Sequence, residues 1–225
     1  RNNAIQISDT MKQVLIGSIL GDGSVIQNKG INCFYREEHG VKQREYLEWK
    51  YEILKPLCAG TIKKYNRHDK RFDKEFVSCY FYTKTHSYLT ELREIFYVEG
   101  VKRIPKNLKE LLAPLSLAVW FLDDGTNSKS QVKASLTVEG YPLEDIVFIQ
   151  EVLRENFDLK TYIVKRTPKK TGKVTNNLDF YKEDTLELFK LIEPYVIPSM
   201  KYKILPLQRL CASPLTGNAE GEEIV

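Results

Sequence analysis

Two short apolar segments dominate the pattern of hydrophobic and polar positions along this chain. The first covers residues 14–20 (VLIGSIL) and the second covers residues 117–122 (LAVWFL). Each segment leads into an aspartate that is followed by glycine, at Asp22 and at Asp124. Because Asp-Gly is typical of a turn and glycine commonly lies just beyond a helix, we expect two buried helices that end at these pairs.

The elements predicted after each apolar segment occur in the same order, which indicates an internal duplication. Helices are indicated by 3.6-residue periodicity, and strands by short runs rich in β-branched and aromatic residues. In the first half, the predicted elements are a strand at 31–38, a helix at 43–57, a basic strand and turn at 60–74, a strand at 75–83 and a helix at 87–96. In the second half, they are a strand at 132–139, a helix at 143–157, a basic hairpin at 160–173, a strand at 177–181 and a helix at 185–195. Each half is therefore predicted to follow the order α-β-β-α-β-β-α.

This duplication predicts the domain organisation of the 225 residues. We expect an N-terminal half at 1–100, a linker at 101–115, a C-terminal half at 116–212 and a frayed polar tail at 213–225. The fold class is α+β, with two pseudo-symmetric halves packed through the two apolar helices. Ser116 is the predicted N-cap of the second of these helices.

The composition excludes several classes of protein. No apolar run reaches the roughly 18–20 residues that a membrane span needs, and the first ten residues are not typical of a signal peptide. The four cysteines are far apart, without a CxxC pair or a nearby histidine, which argues against a disulfide framework or a structural zinc site. We therefore expect an intracellular protein that is not secreted, in a reducing compartment: the cytoplasm or nucleoid, or an organelle matrix.

The charge is concentrated in two segments. The net charge is only +4, but residues 60–74 carry +4 and residues 160–173 carry +6, so the remainder of the chain carries −6. Segregated positive charge of this kind is typical of a surface that binds a polyanion. The alternative is that both are solvated hairpin loops, which is less convincing because they occupy matching positions of the repeat.

The two aspartates at the helix ends are in electrostatically unfavourable positions. The helix macrodipole places partial negative charge at the C-terminus, so a carboxylate there loses about 0.3–1 kcal/mol. Gly17 and Gly21 would let a second helix approach closely, and parallel packing would bring Asp22 and Asp124 together. Two convergent carboxylates would bind divalent metal and suit two-metal hydrolysis of a phosphodiester.

The segments LIGSILGDG at 15–23 and LAVWFLDDG at 117–125 resemble the two motifs of a single-chain LAGLIDADG homing endonuclease. The resemblance extends over nearly the whole chain, and it implies two halves related by a pseudo-dyad, with the motif helices at their interface. It also implies that each half lays an antiparallel DNA-binding sheet along the major groove. By position, Asp22 and Asp124 would bind the catalytic metal, with Gly21 and Asp123 as neighbouring metal-carbonyl or packing positions.

The resemblance further implies basic residues near the scissile phosphates. Lys102 and Lys203 each lie three residues before a proline and are the expected pair, with Arg103 and Lys201 as the nearest alternatives. Basic side chains on or near the predicted sheets are the expected DNA contacts: Arg36, Lys63, Lys64, Arg67, Lys84, Lys133, Lys165, Arg166 and Lys169.

The function implied is that of a monomeric, Mg²⁺-dependent endonuclease. It would make a staggered double-strand break in a long, non-palindromic double-stranded DNA target and so support intron or intein mobility. Mn²⁺ is expected to replace Mg²⁺, whereas Ca²⁺ should support binding without efficient cleavage. The alternative is a non-cleaving nucleic-acid-binding protein on the same scaffold, such as an intron RNA maturase or a regulator.

Two other features are interpreted as structural. Glu48-Trp49-Lys50 matches a fragment of another nuclease signature, but it lies on a strongly periodic predicted helix without a preceding strand aspartate. The three histidines, His39, His68 and His86, show no metal-ligand spacing and are expected on the surface or in loops.

Overall fold

A computed structural model describes residues 5–69, 74–128, 131–167 and 174–204. The N-terminal half begins with a helix whose first turn is capped by the Ser8 side chain, which accepts a hydrogen bond from the backbone N–H of Met11. Its elements are α1 (Asp9–Leu20), β1 (Ser24–Gln27), β2 (Cys33–Gly40), α2 (Arg44–Leu54), β3 (Lys63–Asp69), β4 (Lys74–Tyr82) and α3 (Ser87–Phe96).

The C-terminal half repeats this order after a short connecting region. The connection contains β5 (Tyr97–Val98), β6 (Val101–Lys102) and α4 (Leu108–Leu111). The elements of the second half are α5 (Pro114–Asp124), β7 (Gly125–Asn127), β8 (Ala134–Thr137), α6 (Leu143–Phe157), β9 (Thr161–Arg166), β10 (Thr175–Phe180) and α7 (Lys182–Ile192). Single 3₁₀ turns flank α2 at Val41–Gln43 and Lys55–Leu57, and others follow α7 at Glu193–Tyr195 and Pro198–Lys203.

Each half contains one four-stranded antiparallel sheet with the same topology. The strand order is β1-β2-β4-β3 in the N-terminal half and β7-β8-β10-β9 in the C-terminal half. The registers also correspond, since Arg36 pairs with Tyr82 while Ser135 pairs with Asp179. Arg36 and Ser135 are therefore equivalent positions, and the predicted α+β fold with two pseudo-symmetric halves is confirmed.

The two motif helices, α1 and α5, pack directly against each other at the centre of the molecule. A Cβ atom on Gly17 would lie 2.4 Å from the Ser116 carbonyl oxygen and 2.7 Å from Val119 Cβ, so glycine allows this close approach. Each helix is also tied to the opposite half: the Tyr46 hydroxyl donates to the Val119 carbonyl, and the Tyr141 hydroxyl donates to the Leu20 carbonyl.

Some predicted boundaries differ from the structure. The prediction that Ser116 is the N-cap of α5 was wrong, because the helix begins at Pro114 and Ala113 is the cap. Proline suits the first helical turn, where its missing N–H leaves no hydrogen bond unmade. Ser116 Oγ instead accepts from the Ala113 N–H and donates to the Ala113 carbonyl.

The residues predicted to form a linker contain β6, α4 and the start of α5, so this segment is largely structured. The predicted tail at 213–225 lies outside the described residues. Within the described part of the chain, no helix is long and apolar enough to cross a membrane.

Candidate active site

The close packing of α1 and α5 brings the C-terminal ends of the two motifs together. Asp124 is the last residue of α5, and Asp22 follows Gly21, which caps α1. Burial, and after it the negative charges of Asp22 and Asp123, raise the pKa of Asp124 to about 7 against the opposing effect of Lys102 and Lys203. The three carboxylates therefore form one cluster in which negative charge is under-compensated.

Two lysines flank this cluster in equivalent positions. Lys102 Nζ donates to the carbonyl oxygens of Gly21 and Gly23, at 2.9 and 3.0 Å. Lys203 Nζ donates to the carbonyls of Asp123 and Gly125, at 3.1 and 2.9 Å. Each ammonium thus bridges the residues on either side of one motif aspartate.

These two lysines are half-buried. Burial lowers the pKa of both groups, although the surrounding aspartates oppose the shift. Arg103, the neighbouring alternative in the sequence, points elsewhere and binds Asp145 and Glu144.

Asp123 has no symmetry mate, because Gly21 occupies the matching position of the first motif. A Cβ atom on Gly21 would lie 2.5 Å from Asp123 Cβ, so the Asp123 side chain fills the space that the glycine leaves. From there it enters the N-terminal half, where Lys50 Nζ donates to both of its oxygens at 2.8 and 2.9 Å. Its Oδ2 also accepts from the backbone N–H of Asp22 at 3.3 Å. Asp123 therefore links the two halves directly behind Asp22.

Behind Asp123 lies a cluster of buried charged side chains that we call the buried network: Glu37, His39, Lys50 and Asp123. The Lys50 side chain is fully buried, and its Nζ also donates to Glu37 Oε1 at 3.0 Å. Burial lowers the pKa of Lys50, but Asp123 and Glu37 outweigh this effect and raise it. Lys50 is therefore held as a cation between two buried carboxylates.

His39 connects the buried network to the exposed aspartate. Its Nε2 lies 2.9 Å from Glu37 Oε1, and its Nδ1 lies 3.6 Å from Asp22 Oδ2. Burial lowers the pKa of His39, but Glu37 and Asp123 raise it by more. The C-terminal half has no counterpart, because the sheet register places Leu136 and Val138 at the positions of Glu37 and His39.

Sequence reasoning missed most of this network. The expectation that His39 is a surface or loop residue was wrong, because it is buried on β2. Lys50 does lie on the periodic helix that was predicted, but it is in the buried face and contacts the site. A lysine at an apolar position of a helical stripe was the one available signal.

The ligand atoms present suit a hard divalent cation. Asp22, His39 and Asp123 each offer one possible ligand atom, and these atoms lie within 4.8 Å of one another. Among the described residues, they form the one group of three or more such side chains that is close enough to hold a metal ion. The oxygens of Asp123 already accept from Lys50, whereas the Asp22 side chain is 46% exposed and accessible. Burial and the neighbouring carboxylates raise the pKa of Asp124, and a bound cation would favour its charged form against both effects.

The expected DNA contacts are distributed over the two sheets. Arg36 and Lys63 lie on the face opposite the helices in the N-terminal half, and Lys133 and Arg166 reach the same face in the C-terminal half. The alternation of strand residues places Lys64 and Lys165 on the other side of their edge strands, where they are exposed. Lys84 is exposed just after β4, the Arg67 side chain is not described, and Lys169 lies outside the described residues.

Comparison with known proteins decides the family. A family model described as the LAGLIDADG DNA endonuclease family matches residues 12–188. The chain belongs to this family. The match includes both motif helices and both sheets, so the family resemblance seen in the sequence is confirmed.

The chain is also similar to several individual proteins. The chain is 30% identical over 201 residues to cytochrome b mRNA maturase bI2 of Debaryomyces hansenii, covering 86% of this chain and 73% of that protein. It is 27% identical over 212 residues to DNA endonuclease I-ChuI of Chlamydomonas applanata, covering 89% and 96%. Against several matched RecA proteins, the chain spans only about half of their length.

A solved structure shows the same fold. The homing endonuclease I-WcaI, determined bound to its DNA recognition sequence, superposes with a TM-score of 0.79 at 24% identity. The match covers 89% of this chain and 88% of that one.

Proposed function

We propose that this LAGLIDADG protein is a metal-dependent endonuclease that makes a staggered double-strand break in double-stranded DNA. The observation that carries the proposal is a repeated arrangement, in which one half-buried lysine bridges the backbone carbonyls on either side of each motif aspartate: Lys102 around Asp22, and Lys203 around Asp124. Hydrolysis of two strands requires two such sets, one for each scissile phosphate. A protein that only binds nucleic acid has no use for two carboxylates at unfavourable helix ends.

In this proposal, Asp22 and Asp124 hold the divalent metal, with Mg²⁺ as the physiological ion and Mn²⁺ as a substitute. The bound metal would supply Lewis-acid stabilisation of the phosphate and lower the pKa of an attacking water. Each lysine ammonium has three donors, and two of them are used on motif carbonyls. The third donor is available to stabilise negative charge on the phosphate during in-line displacement. The products would carry a 5′-phosphate and a 3′-hydroxyl.

The target is proposed to be long and non-palindromic, because the two sheets present different side chains. A break at such a site would serve the mobility of an intron or intein. The chain would act as a monomer, since a single polypeptide supplies both motif helices. The DNA complex named for I-WcaI supports duplex DNA as the partner.

A second candidate function is that of a maturase that binds intron RNA. The specific observation in its favour is the 30% identity to a protein named as an mRNA maturase. The two functions need not exclude each other, but only the endonuclease uses the repeated aspartate and lysine pairs. Cleavage therefore separates the candidates.

The first prediction tests the metal ligands. Asp22→Asn and Asp124→Asn should each lower double-strand cleavage by about a hundredfold or more while preserving DNA binding, because each removes one anionic metal ligand. The assay is cleavage of a plasmid library with random inserts, with Mg²⁺, with Ca²⁺ and with neither. Specific binding with Ca²⁺ but little cutting is expected.

The control for this experiment is Asp158→Asn. Asp158 is exposed at the end of α6 with a positive φ of 53°, a conformation that asparagine also adopts readily. The Asp158→Asn variant should cut DNA at the rate of the unmodified protein. Near-normal cutting of both strands by either motif variant would show that the metal assignment is wrong. Metal-independent RNA binding without any cutting by the unmodified protein would favour the maturase.

A further inference from the structure

The fold brings the imidazole of His39 into the candidate active site. Its side chain is 2% exposed, and its Nδ1 lies 3.6 Å from Asp22 Oδ2, which is too long for a hydrogen bond. Within the part of the chain that the structure describes, Nδ1 forms no hydrogen bond with any group. A polar atom of a buried side chain, directed at an exposed carboxylate in this way, calls for a partner that these residues do not supply.

The buried network sets the orientation of this imidazole. Its Nε2 lies 2.9 Å from Glu37 Oε1, and Lys50 Nζ donates to the same oxygen at 3.0 Å. A carboxylate beside Nε2 favours the tautomer that carries its proton there, which directs the lone pair of Nδ1 toward Asp22. Metal-binding histidines typically have a carboxylate beside the ring nitrogen that does not bind the metal. His39 has this arrangement.

The lone pair of Nδ1 and the Asp22 carboxylate repel each other unless they share a cation. Two ligand atoms that are each about 2.1 Å from one metal ion can be up to about 4.2 Å apart, so the separation of 3.6 Å fits a shared ion. Asp123 belongs to the same group of potential ligands, but both of its oxygens accept from Lys50. The donors that remain in this group are one imidazole nitrogen and one carboxylate.

We propose that His39 Nδ1 joins the Asp22 carboxylate as a metal ligand, so that the N-terminal half prefers a transition-metal dication over Mg²⁺. This inference rests on the proposed function, since it adds a ligand to the metal that Asp22 is proposed to hold. Mg²⁺ is bound mainly by oxygen atoms, whereas imidazole nitrogen suits transition metals. Replacing an oxygen ligand with this nitrogen therefore shifts the preference away from Mg²⁺.

The C-terminal half offers an internal comparison. The strand registers place Val138 at the position of His39 and Leu136 at that of Glu37. Neither side chain can bind a metal ion or orient an imidazole. Asp124 is therefore left without a nitrogen ligand from the equivalent strand, and the two halves should differ in the ions they favour.

The alternative is that a second proton on His39, rather than a metal ion, offsets the charge of Asp22. In that case the imidazolium and the metal compete for the same carboxylate, and removal of His39 should strengthen the binding of every divalent ion. If His39 is a ligand, its removal should weaken binding, most of all for a transition metal. The two interpretations thus predict effects of opposite sign.

The experiment uses the protein without DNA and Mn²⁺ as the probe, because electron paramagnetic resonance reports on both affinity and ligand type. The signal of free Mn²⁺ gives its dissociation constant, and competition gives that of Mg²⁺. Modulation of the electron spin echo by nitrogen shows whether an imidazole binds the ion directly. We expect bound Mn²⁺ to show this nitrogen coupling in the unmodified protein, which is a result that requires no variant.

Two variants assign the nitrogen to His39. His39→Val introduces the residue found at the equivalent position, and it should abolish the nitrogen coupling. It should raise the dissociation constant of Mn²⁺ by about tenfold or more and that of Mg²⁺ by about twofold or less. His68→Val is the matched control, because His68 is exposed on β3 with its Nδ1 3.0 Å from Glu75. This control should keep both affinities and the nitrogen coupling.

Four results would overturn the inference: no binding of Mn²⁺, bound Mn²⁺ without nitrogen coupling, equal weakening of both ions in His39→Val, or tighter binding of both ions in that variant. The last result would make His39 a cation paired with Asp22. Failure of the proposed function looks different. Nitrogen-coupled Mn²⁺ in a protein that cuts no duplex with Mg²⁺ or Mn²⁺ would overturn the endonuclease and leave the metal ligand intact.

Discussion

At the scale of single residues, the pairing of Gly21 with Asp123 explains why the two motifs differ. The Asp123 side chain occupies the space beside Gly21, so two aspartates cannot occupy both positions in this packing. The asymmetric motif therefore builds an asymmetric site. Both oxygens of Asp123 accept from Lys50, which is why we propose Asp22 and Asp124 as the carboxylates for metal.

The second prediction concerns Lys50. Lys50→Met should lower the free energy of unfolding by about 3–5 kcal/mol, because Glu37 and Asp123 would remain buried without their cation. Urea denaturation measures this change. Lys190→Met is the control, since Lys190 forms an exposed pair with Glu187 and should change stability by about 1 kcal/mol or less. Equal effects of the two substitutions would contradict the role assigned to the buried network.

The third prediction is a pH dependence set by Asp124. Its pKa is about 7 in the folded protein, well above the ordinary value, so the folded state binds more protons than the unfolded state between about pH 4 and 7. Stability should therefore be highest near pH 4–5 and fall as the pH rises through 7, with Asp124 contributing at most about 4 kcal/mol of the decline. The raised pKa values of Asp123, to about 6, and of His39 act in the same direction. The lowered pKa values of Glu37 and Asp145 act below this range.

Thermal unfolding in EDTA across this pH range measures the effect. Excess Ca²⁺ should remove much of the decline, because a bound cation favours the charged carboxylate. Asp124→Asn should also reduce it, since asparagine does not titrate. A stability that rises from pH 5 to pH 8 in EDTA would contradict the prediction.

The residues that could be predicted from sequence are those tied to local pattern. Asp22 and Asp124 follow apolar segments and stand in register, so their convergence followed from the repeat. Lys102 and Lys203 depended on the family resemblance, and the structure places both on motif carbonyls. Glu37, His39 and Lys50 are brought together only by packing of β2 against α2, and no spacing along the chain reveals that contact.

At the scale of elements, amphipathic periodicity predicted helices well. The predicted helices at 87–96 and 143–157 coincide with α3 and α6, since both have strong apolar stripes and clear boundaries. The predicted helix at 43–57 is shorter at both ends, where 3₁₀ turns replace it, and Pro56 lies in the second of these. Ends set by caps and proline were harder to place than the periodic interiors.

The fourth prediction concerns the packing of α1 against α5. Gly17→Ala should destabilise the protein by about 1–3 kcal/mol, because the added methyl would lie 2.4 Å from the Ser116 carbonyl oxygen and force the helices apart. The better helix propensity of alanine offsets about 1 kcal/mol of the full cost. The control is Gly40→Ala, where no atom lies within 4 Å and φ is −61°. It should be neutral or slightly stabilising. Equal stability of the two variants would show that the interface can relax.

At the scale of the whole molecule, the pseudo-dyad relates the backbone and the motif aspartates and lysines, but not the side chains around them. The aspartate and lysine pairs are repeated, whereas the buried network lies almost wholly in the N-terminal half. The sheets also carry different residues at equivalent positions, with Tyr80 and Tyr82 in one half and Asn177 and Asp179 in the other. A duplicated chain can keep symmetry where two phosphates require it and lose symmetry where two different half-sites are read.

The fifth prediction is that the active species is a monomer. The apolar faces of α1 and α5 are buried against each other within one chain, so no motif helix is left to recruit a second copy. Sedimentation velocity should give the mass of one chain, 26.2 kDa, for the free protein and one chain for each duplex that carries a selected site. A duplex of unrelated sequence serves as the control, and increased salt should remove its binding first. Two proteins on one selected site would contradict the single-chain arrangement, since four motif helices would then be present where two complete the interface.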